Sequence, residues 1–392
     1  MNRTAIFMIL FALLFAGCAS TNLQPLSATN DPLEEDEGRL WNRAEEEERK
    51  IDRSGAIYED AELDAYLDSI AKKLHCPAAH ERIDFRIAVV ENPLLNAFAM
   101  PNGRIYLHTG ILARIENEAQ LATLLGHEMA HSINRHAILQ RRGLKNNTAF
   151  LATLGSTVGG MGAMGSFVTL LGALGTVAAV TGYSKELEAE ADLEGFRAMV
   201  AAGYDSREAP KLFAHLKNEL EEDDRDEPFF FGTHPRLKER ISSFSRLLTE
   251  KMAGGTGVTN AEVYFEKTRN LILDNARYDL AAGRFKSVEK TLKRFLAMDS
   301  GNPTAYCILA EMHCQQADEN APEIAEKYYR TALDLDPDHA EAHAGLGRLY
   351  YKRGNLVEAG SHFTRYLEIE PGAADRDYVV NYLKRCGGGS EP

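Results

Sequence analysis

His127-Glu128-Met129-Ala130-His131 holds the residue types and spacing most able to do chemistry in this chain. On a helix, positions i and i+4 share one face, so His127 and His131 point the same way. Two imidazoles at that spacing can grip one Zn²⁺, and Glu128 beside them can take a proton from a water polarised by the ion. The flanking sequence supplies a helix for them. Asn117 is a good N-cap, and Gln120 three residues later completes a capping box. Leu121, Leu124, Leu125 and Met129 then recur at helical spacing, which gives that helix a buried face.

A zinc site that performs hydrolysis takes three protein ligands and keeps one position open. The third ligand is sought in Tyr183-Ser184-Lys185-Glu186-Leu187-Glu188-Ala189-Glu190-Ala191-Asp192. Glu188 and Asp192 are one helical turn apart and share a face. Glu188 could bind the metal while Asp192 accepts a hydrogen bond from a ligand histidine. Spacing alone does not choose among Glu186, Glu188 and Glu190. His108, His136 and His215 have no partner at ligand spacing and are read as structural.

The combination of His127-Glu128-x-x-His131 with Glu188-x-x-x-Asp192 resembles the gluzincin peptidases related to the CAAX prenyl protease and to HtpX. Asn96-Ala97-Phe98-Ala99-Met100-Pro101-Asn102-Gly103-Arg104-Ile105 resembles the family's N-A-F-A-x-P-G-G-x-I hairpin, with Asn102 in place of the first turn glycine. Thr233-His234-Pro235-Arg236-Leu237-Lys238-Glu239-Arg240 resembles its H-P-x-x-x-x-R element. The resemblance covers residues 55–245. It implies one Zn²⁺ per chain held by His127, His131 and Glu188, with Glu128 as the base in peptide-bond hydrolysis. It offers two roles for His234, an oxyanion donor or a gate that closes the open zinc position. Arg240 would orient the site or pair with an acid.

These residues need a scaffold. Phe85, Ile87 and Val89 alternate with Arg86 and Ala88, as in a half-buried strand, and 104–108 alternates after a Pro-Asn-Gly turn. An extended peptide could be held as a strand added to one of these. The fold expected is α+β: a mainly helical zincin-like peptidase domain with a small sheet, over residues 37–250. An all-α tetratricopeptide-repeat solenoid follows, over 261–386, after a glycine-rich linker at 251–260. The repeat reading rests on Ala342, Leu346, Gly347, Tyr350, Gly354, Ala359, Phe363 and Pro371 in register. Pro337 closes the preceding unit, which starts near Asn302, and a weaker unit spans about 261–300 with Gly283 and Phe285 at its turn. Residues 387–392 read as a flexible tail.

The N-terminus reads as targeting. Residues 1–17 carry Arg3 and then a short apolar run, the pattern of a signal peptide. Leu14-Phe15-Ala16-Gly17-Cys18 resembles a bacterial lipobox, which makes Cys18 the expected lipidation site and 18–36 a polar tether. Ala19 is not Asp, so an outer-membrane anchor facing the periplasm is expected. Glu45-Glu46-Glu47-Glu48-Arg49-Lys50 reads as a solvated helix. A formal net charge of −14 argues against nucleic acid as a partner. The apolar stretch 146–184 contains no charged residue before Lys185 and is broken by glycines, so a hairpin lid near the site is favoured over a membrane span. The expected clients are unfolded or stalled envelope proteins. The repeats would recruit them or the outer-membrane assembly machinery. The rival reading is a chaperone or assembly scaffold whose zinc site is closed by His234.

Overall fold

A computed structural model describes residues 23–74, 77–145, 183–222, 237–251, 257–316 and 320–387. The expected signal segment, Cys18, most of the apolar stretch and His234 lie outside these residues. Within them no helix is long and apolar enough to cross a membrane. The chain divides after Lys267 into two compact units.

In the first unit the chain order is α1 (Glu35–Asp52), α2 (Ala61–Leu74), α3 (Pro77–Arg82), β1 (Arg86–Val90), β2 (Ala97–Ala99), β3 (Arg104–His108), α4 (Thr109–Arg114), α5 (Glu118–Ile133) and α6 (His136–Lys145). After the undescribed stretch come α7 (Lys185–Ala201), α8 (Glu208–Glu222) and α9 (Leu237–Lys251). The strand order is β1-β3-β2, with β1 parallel to β3 and β2 antiparallel to it. The sheet is therefore mixed. Segment 104–108 is its central strand, and 86–90 and 97–99 are the edges.

The strands are more deeply covered than their alternation suggests. Ile87, Ala88, Val89 and Val90 are all buried, because residues on both faces pack against helices. Phe98 stacks on its cross-strand partner Tyr106, with ring centroids 5.2 Å apart. The Pro-Asn-Gly turn holds Gly103 at φ +90°, where a Cβ would also meet the Ile83 side chain at 2.2 Å. Only glycine fits there. Asn102, the departure from the family hairpin, is buried and donates from its amide to Glu48 Oε2 at 3.3 Å.

That bond bears on α1. Glu45, Glu46 and Arg49 are exposed, as a solvated face predicts, but Glu47 and Glu48 are buried. Glu48 accepts from Arg86 at 2.5 Å and 3.0 Å and faces Arg104 at 3.8 Å, so this part of the acidic run clamps the helix to the sheet. The end of the expected tether also packs. Leu26 is 2% exposed, and Arg142 pairs with Glu34 and Asp36.

In the second unit the helices are α10 (Ala261–Ala281, which begins in the first unit), α11 (Phe285–Met298), α12 (Pro303–Gln315), α13 (Ala321–Leu335), α14 (Ala340–Lys352), α15 (Leu356–Ile369) and α16 (Arg376–Gly387). From α11 onward they pair consecutively, as repeats that cannot bury an apolar side alone must do. Gly345 lies against the Tyr329 ring and Gly347 against the Phe363 ring, where a Cβ would stand 2.2 Å and 2.6 Å from ring atoms. Cys307, Cys314 and Cys386 are free thiols.

Candidate active site

Helix α5 carries the site and is enclosed on every side. All of its residues from Glu118 to Ile133 are buried, beyond the single apolar face read from the leucine spacing. The helices α2, α7 and α8 and strand β2 surround it. Its start is capped as the sequence requires: Asn117 Oδ1 accepts from Gln120 N at 3.0 Å. Gln120 reaches back, although to the amide of Glu116 rather than that of Asn117.

The end of α5 is equally specific. Arg135 adopts φ +60°, a left-handed conformation that costs a non-glycine residue energy. A bidentate ion pair between its guanidinium and Glu37 of α1 compensates. The reversal folds His136 back beneath the helix, with its Nδ1 2.8 Å from His131 Nδ1. Burial pushes the His136 imidazole down to about 4, so it is neutral at physiological pH. Sequence spacing had set His136 aside, because contact across a left-handed turn leaves no periodic signature.

Helix α7 brings the acids. Ser184 caps it by accepting from Leu187 N. Glu188 and Asp192 then face inward at 0% and 3% exposure, whereas Glu186 and Glu190 are exposed. This separates the three glutamates that spacing left open. The approach needs two glycines. A Cβ on Gly195 would stand 2.6 Å from His127 N, and one on Gly126 would stand 2.9 Å from Gly195 O. Glycine inside a helix costs about 1 kcal/mol relative to alanine, so its presence at both facing positions is explained by backbone contact. Gly195→Ala is expected to force α5 and α7 apart, costing roughly 1–3 kcal/mol of stability and at least about tenfold in metal affinity. Competition with a chromogenic chelator measures this, and unchanged affinity would dissociate the glycine contact from the site.

With the helices so placed, His127 Nε2 and His131 Nε2 are 3.1 Å apart. Glu188 Oε2 is 3.5 Å from the first and Glu188 Oε1 is 3.6 Å from the second. For a tetrahedral ion with bonds of ~2.0–2.1 Å, ligand atoms stand about 3.3 Å from one another. The three donors are therefore spaced to fit a first-row divalent cation, and two imidazoles with one carboxylate are a zinc-type donor set.

Behind the donors, Asp192 Oδ1 lies 2.9 Å from His127 Nδ1 and 2.6 Å from Arg240 Nη2. Arg240 Nη2 is also 3.0 Å from His127 Nδ1. With Nε2 turned to the donor cluster, Nδ1 carries the histidine proton, so both nitrogens donate to the shared carboxylate oxygen rather than to each other. Arg240, on α9, is fully enclosed and lies over the Phe213 ring at 4.0 Å. Glu128 is buried beside the histidines. Tyr183, at the mouth of α7, stacks on His131 at 4.1 Å between centroids. Burial first, then the charges of Glu128 and Glu188, raise its hydroxyl pKa, so the phenol stays protonated. No spacing in the sequence marks this tyrosine, because its role depends on a ring contact between the segment leading into α7 and a histidine of α5. His108 is buried in β3, and His215 faces Glu116 and Glu219 at 3.8 Å.

A buried helix presenting His-Glu-x-x-His to a carboxylate from a second helix, beside a small sheet, is the arrangement of a metallopeptidase domain. Residues 58–248 match the model of peptidase family M48, and residues 316–374 match that of a tetratricopeptide repeat. The chain thus carries an M48 peptidase domain followed by tetratricopeptide repeats. It is 24% identical over 356 residues to the beta-barrel assembly-enhancing protease of Escherichia coli K12, covering 81% of this chain and 71% of that protein. It is 31% identical over 199 residues to the mitochondrial metalloendopeptidase OMA1 of Arabidopsis thaliana, covering 47% of this chain. Human OMA1 is 28% identical over 180 residues. The matches span only 38% and 34% of the two OMA1 proteins.

Proposed function

We propose that this protein is a zinc-dependent endopeptidase of the bacterial cell envelope that hydrolyses misfolded or stalled envelope proteins. The observation that carries this reading is the convergence of His127 Nε2, His131 Nε2 and a Glu188 carboxylate at mutual distances of 3.1–3.6 Å. One Zn²⁺ per chain, held by these residues, would supply a polarised water and charge stabilisation for the scissile carbonyl oxygen.

The chain's own groups do the rest. Glu128 accepts a proton from the attacking water and returns it to the leaving amine. Asp192 fixes the His127 tautomer by accepting a hydrogen bond from its Nδ1–H, and Arg240 holds the Asp192 carboxylate in place. His131 donates its Nδ1 proton to His136, which orients the second ring in the same way. The buried helices around α5 exclude bulk water and keep these distances short. His234 belongs to the same proposal as an oxyanion donor or a gate.

The envelope assignment draws on the lipobox ending at Cys18 and on the likeness to the beta-barrel assembly-enhancing proteases. The chain would be lipid-anchored in the periplasm at the outer membrane, with residues 37–250 as the peptidase domain and 261–386 as repeats. The repeats would recruit unfolded clients or outer-membrane assembly machinery. The purified chain is expected to contain one zinc and to cleave an unfolded model protein, and chelation should stop cleavage until zinc is restored. A chain that holds zinc at full occupancy but cuts no unfolded protein would favour the scaffold reading instead.

A further inference from the structure

Away from the peptidase site, a second group of donors meets in the repeat unit. We propose that Cys307, His339 and Glu341 form a cation site for a zinc-class divalent ion, bridging the first helices of two consecutive repeats. Cys307 lies in α12, His339 is the N-cap of α14, and Glu341 is in the first turn of α14. One ligand atom from each lies within 4.8 Å of the others.

The geometry is that of ligands rather than of neighbours. Cys307 Sγ is 3.6 Å from His339 Nδ1. A tetrahedral zinc with a sulfur bond of ~2.3 Å and a nitrogen bond of ~2.0–2.1 Å separates these atoms by about 3.5–3.6 Å. The other ring nitrogen, His339 Nε2, is 3.1 Å from Thr304 Oγ1. An imidazole tethered through one nitrogen presents the other, which is how metal-binding histidines are oriented. Arg277 Nη2 donates to Glu341 Oε1 at 2.8 Å and Oε2 at 3.2 Å, and its Nη1 donates to Asp274 at 3.1 Å. The carboxylate is therefore held beside the thiol and imidazole.

The donor set selects the ion. Sulfur, imidazole and carboxylate together suit zinc and disfavour calcium and magnesium, which take oxygen ligands. Cys307 is 3% exposed, whereas Glu341 opens to solvent, so an ion enters from the carboxylate end. Binding breaks the S–H bond, forms a metal–sulfur bond and releases one proton to solvent. The Arg277 guanidinium offsets the carboxylate charge. An ion here joins α12 to α14 and stabilises the repeat unit as its concentration rises. The M48 site offers no sulfur, so the two sites differ in spectroscopic signature.

The experiment uses the full chain, stripped of metal under reducing conditions and titrated with Co²⁺. Wild type should develop a saturable sulfur-to-cobalt charge-transfer absorption in the near ultraviolet. Cys307→Ala should lose it, and His339→Ala should weaken the binding that produces it by about tenfold or more. Substituting Cys314 and Cys386 by serine, or His131 by alanine, should leave it intact. Circular dichroism confirms that each variant is folded. His339 sits half-exposed at a helix end, so its variant remains decisive if Cys307→Ala fails to fold. No band in wild type, or a band unmoved by His339→Ala, would overturn the site and leave an ordinary thiol–imidazole hydrogen bond.

Discussion

Glu128→Gln is expected to keep the fold and the metal and to lose roughly two to four orders of magnitude in peptide-bond hydrolysis, the usual contribution of a positioned proton acceptor. Glutamine matches glutamate in shape but cannot accept and return a proton. The proposed ligands His127, His131 and Glu188 are untouched, so zinc stoichiometry should remain one. Glu128 is buried within a helix that is itself enclosed, and the isosteric change opens no cavity there. Metal analysis and cleavage rates on an unfolded protein separate the two effects. Loss of zinc together with activity would assign Glu128 to metal retention. A rate within tenfold of wild type would remove it from the chemistry.

Arg240→Met should strike the site from behind. Its guanidinium is enclosed and donates to Asp192 at 2.6 Å, and Asp192 is 4% exposed at the side chain. Removing one partner of a buried ion pair costs about 3–5 kcal/mol, because the other charge stays behind. For a unit of this size that corresponds to a fall in melting temperature of roughly 10 °C or more. Metal affinity should fall about 10–100-fold, since the group that fixes His127 has lost its own support. Adding Asp192→Asn removes the stranded charge and should recover part of the stability but none of the metal affinity. Thermal unfolding of the stripped protein and chelator competition on the loaded one measure the two separately. A stability loss with unchanged metal affinity would make Arg240 purely structural.

The two variants differ in how far their residues were visible in one dimension. Glu128 stands in a contiguous motif whose spacing matches the helical repeat, so its chemistry could be read directly. Arg240 was legible only through resemblance, as the last residue of an H-P-x-x-x-x-R element. Its actual contact, a carboxylate 48 residues earlier, was not. His136 and Tyr183 were missed for the same reason, as each touches His131 through a turn or a ring stack that has no period. Glu47 and Glu48 look like part of a solvated acidic run because burial by the sheet adds nothing to local composition. Strand alternation located β1 and β3 but not their parallel pairing, which depends on the connection through β2.

By itself the chain's sequence determined the local events: the capped helix with two histidines one turn apart, the Glu188/Asp192 face, the Asn102-Gly103 turn, and the repeats marked by glycines at close contacts. Each is written in residues near one another, where propensity and periodicity act. Tertiary structure alone decided which glutamate meets the histidines, and it did so through the backbone contact of Gly126 with Gly195. Two helices can approach that closely only where neither carries a Cβ, and the donor atoms reach a common ion only at that separation.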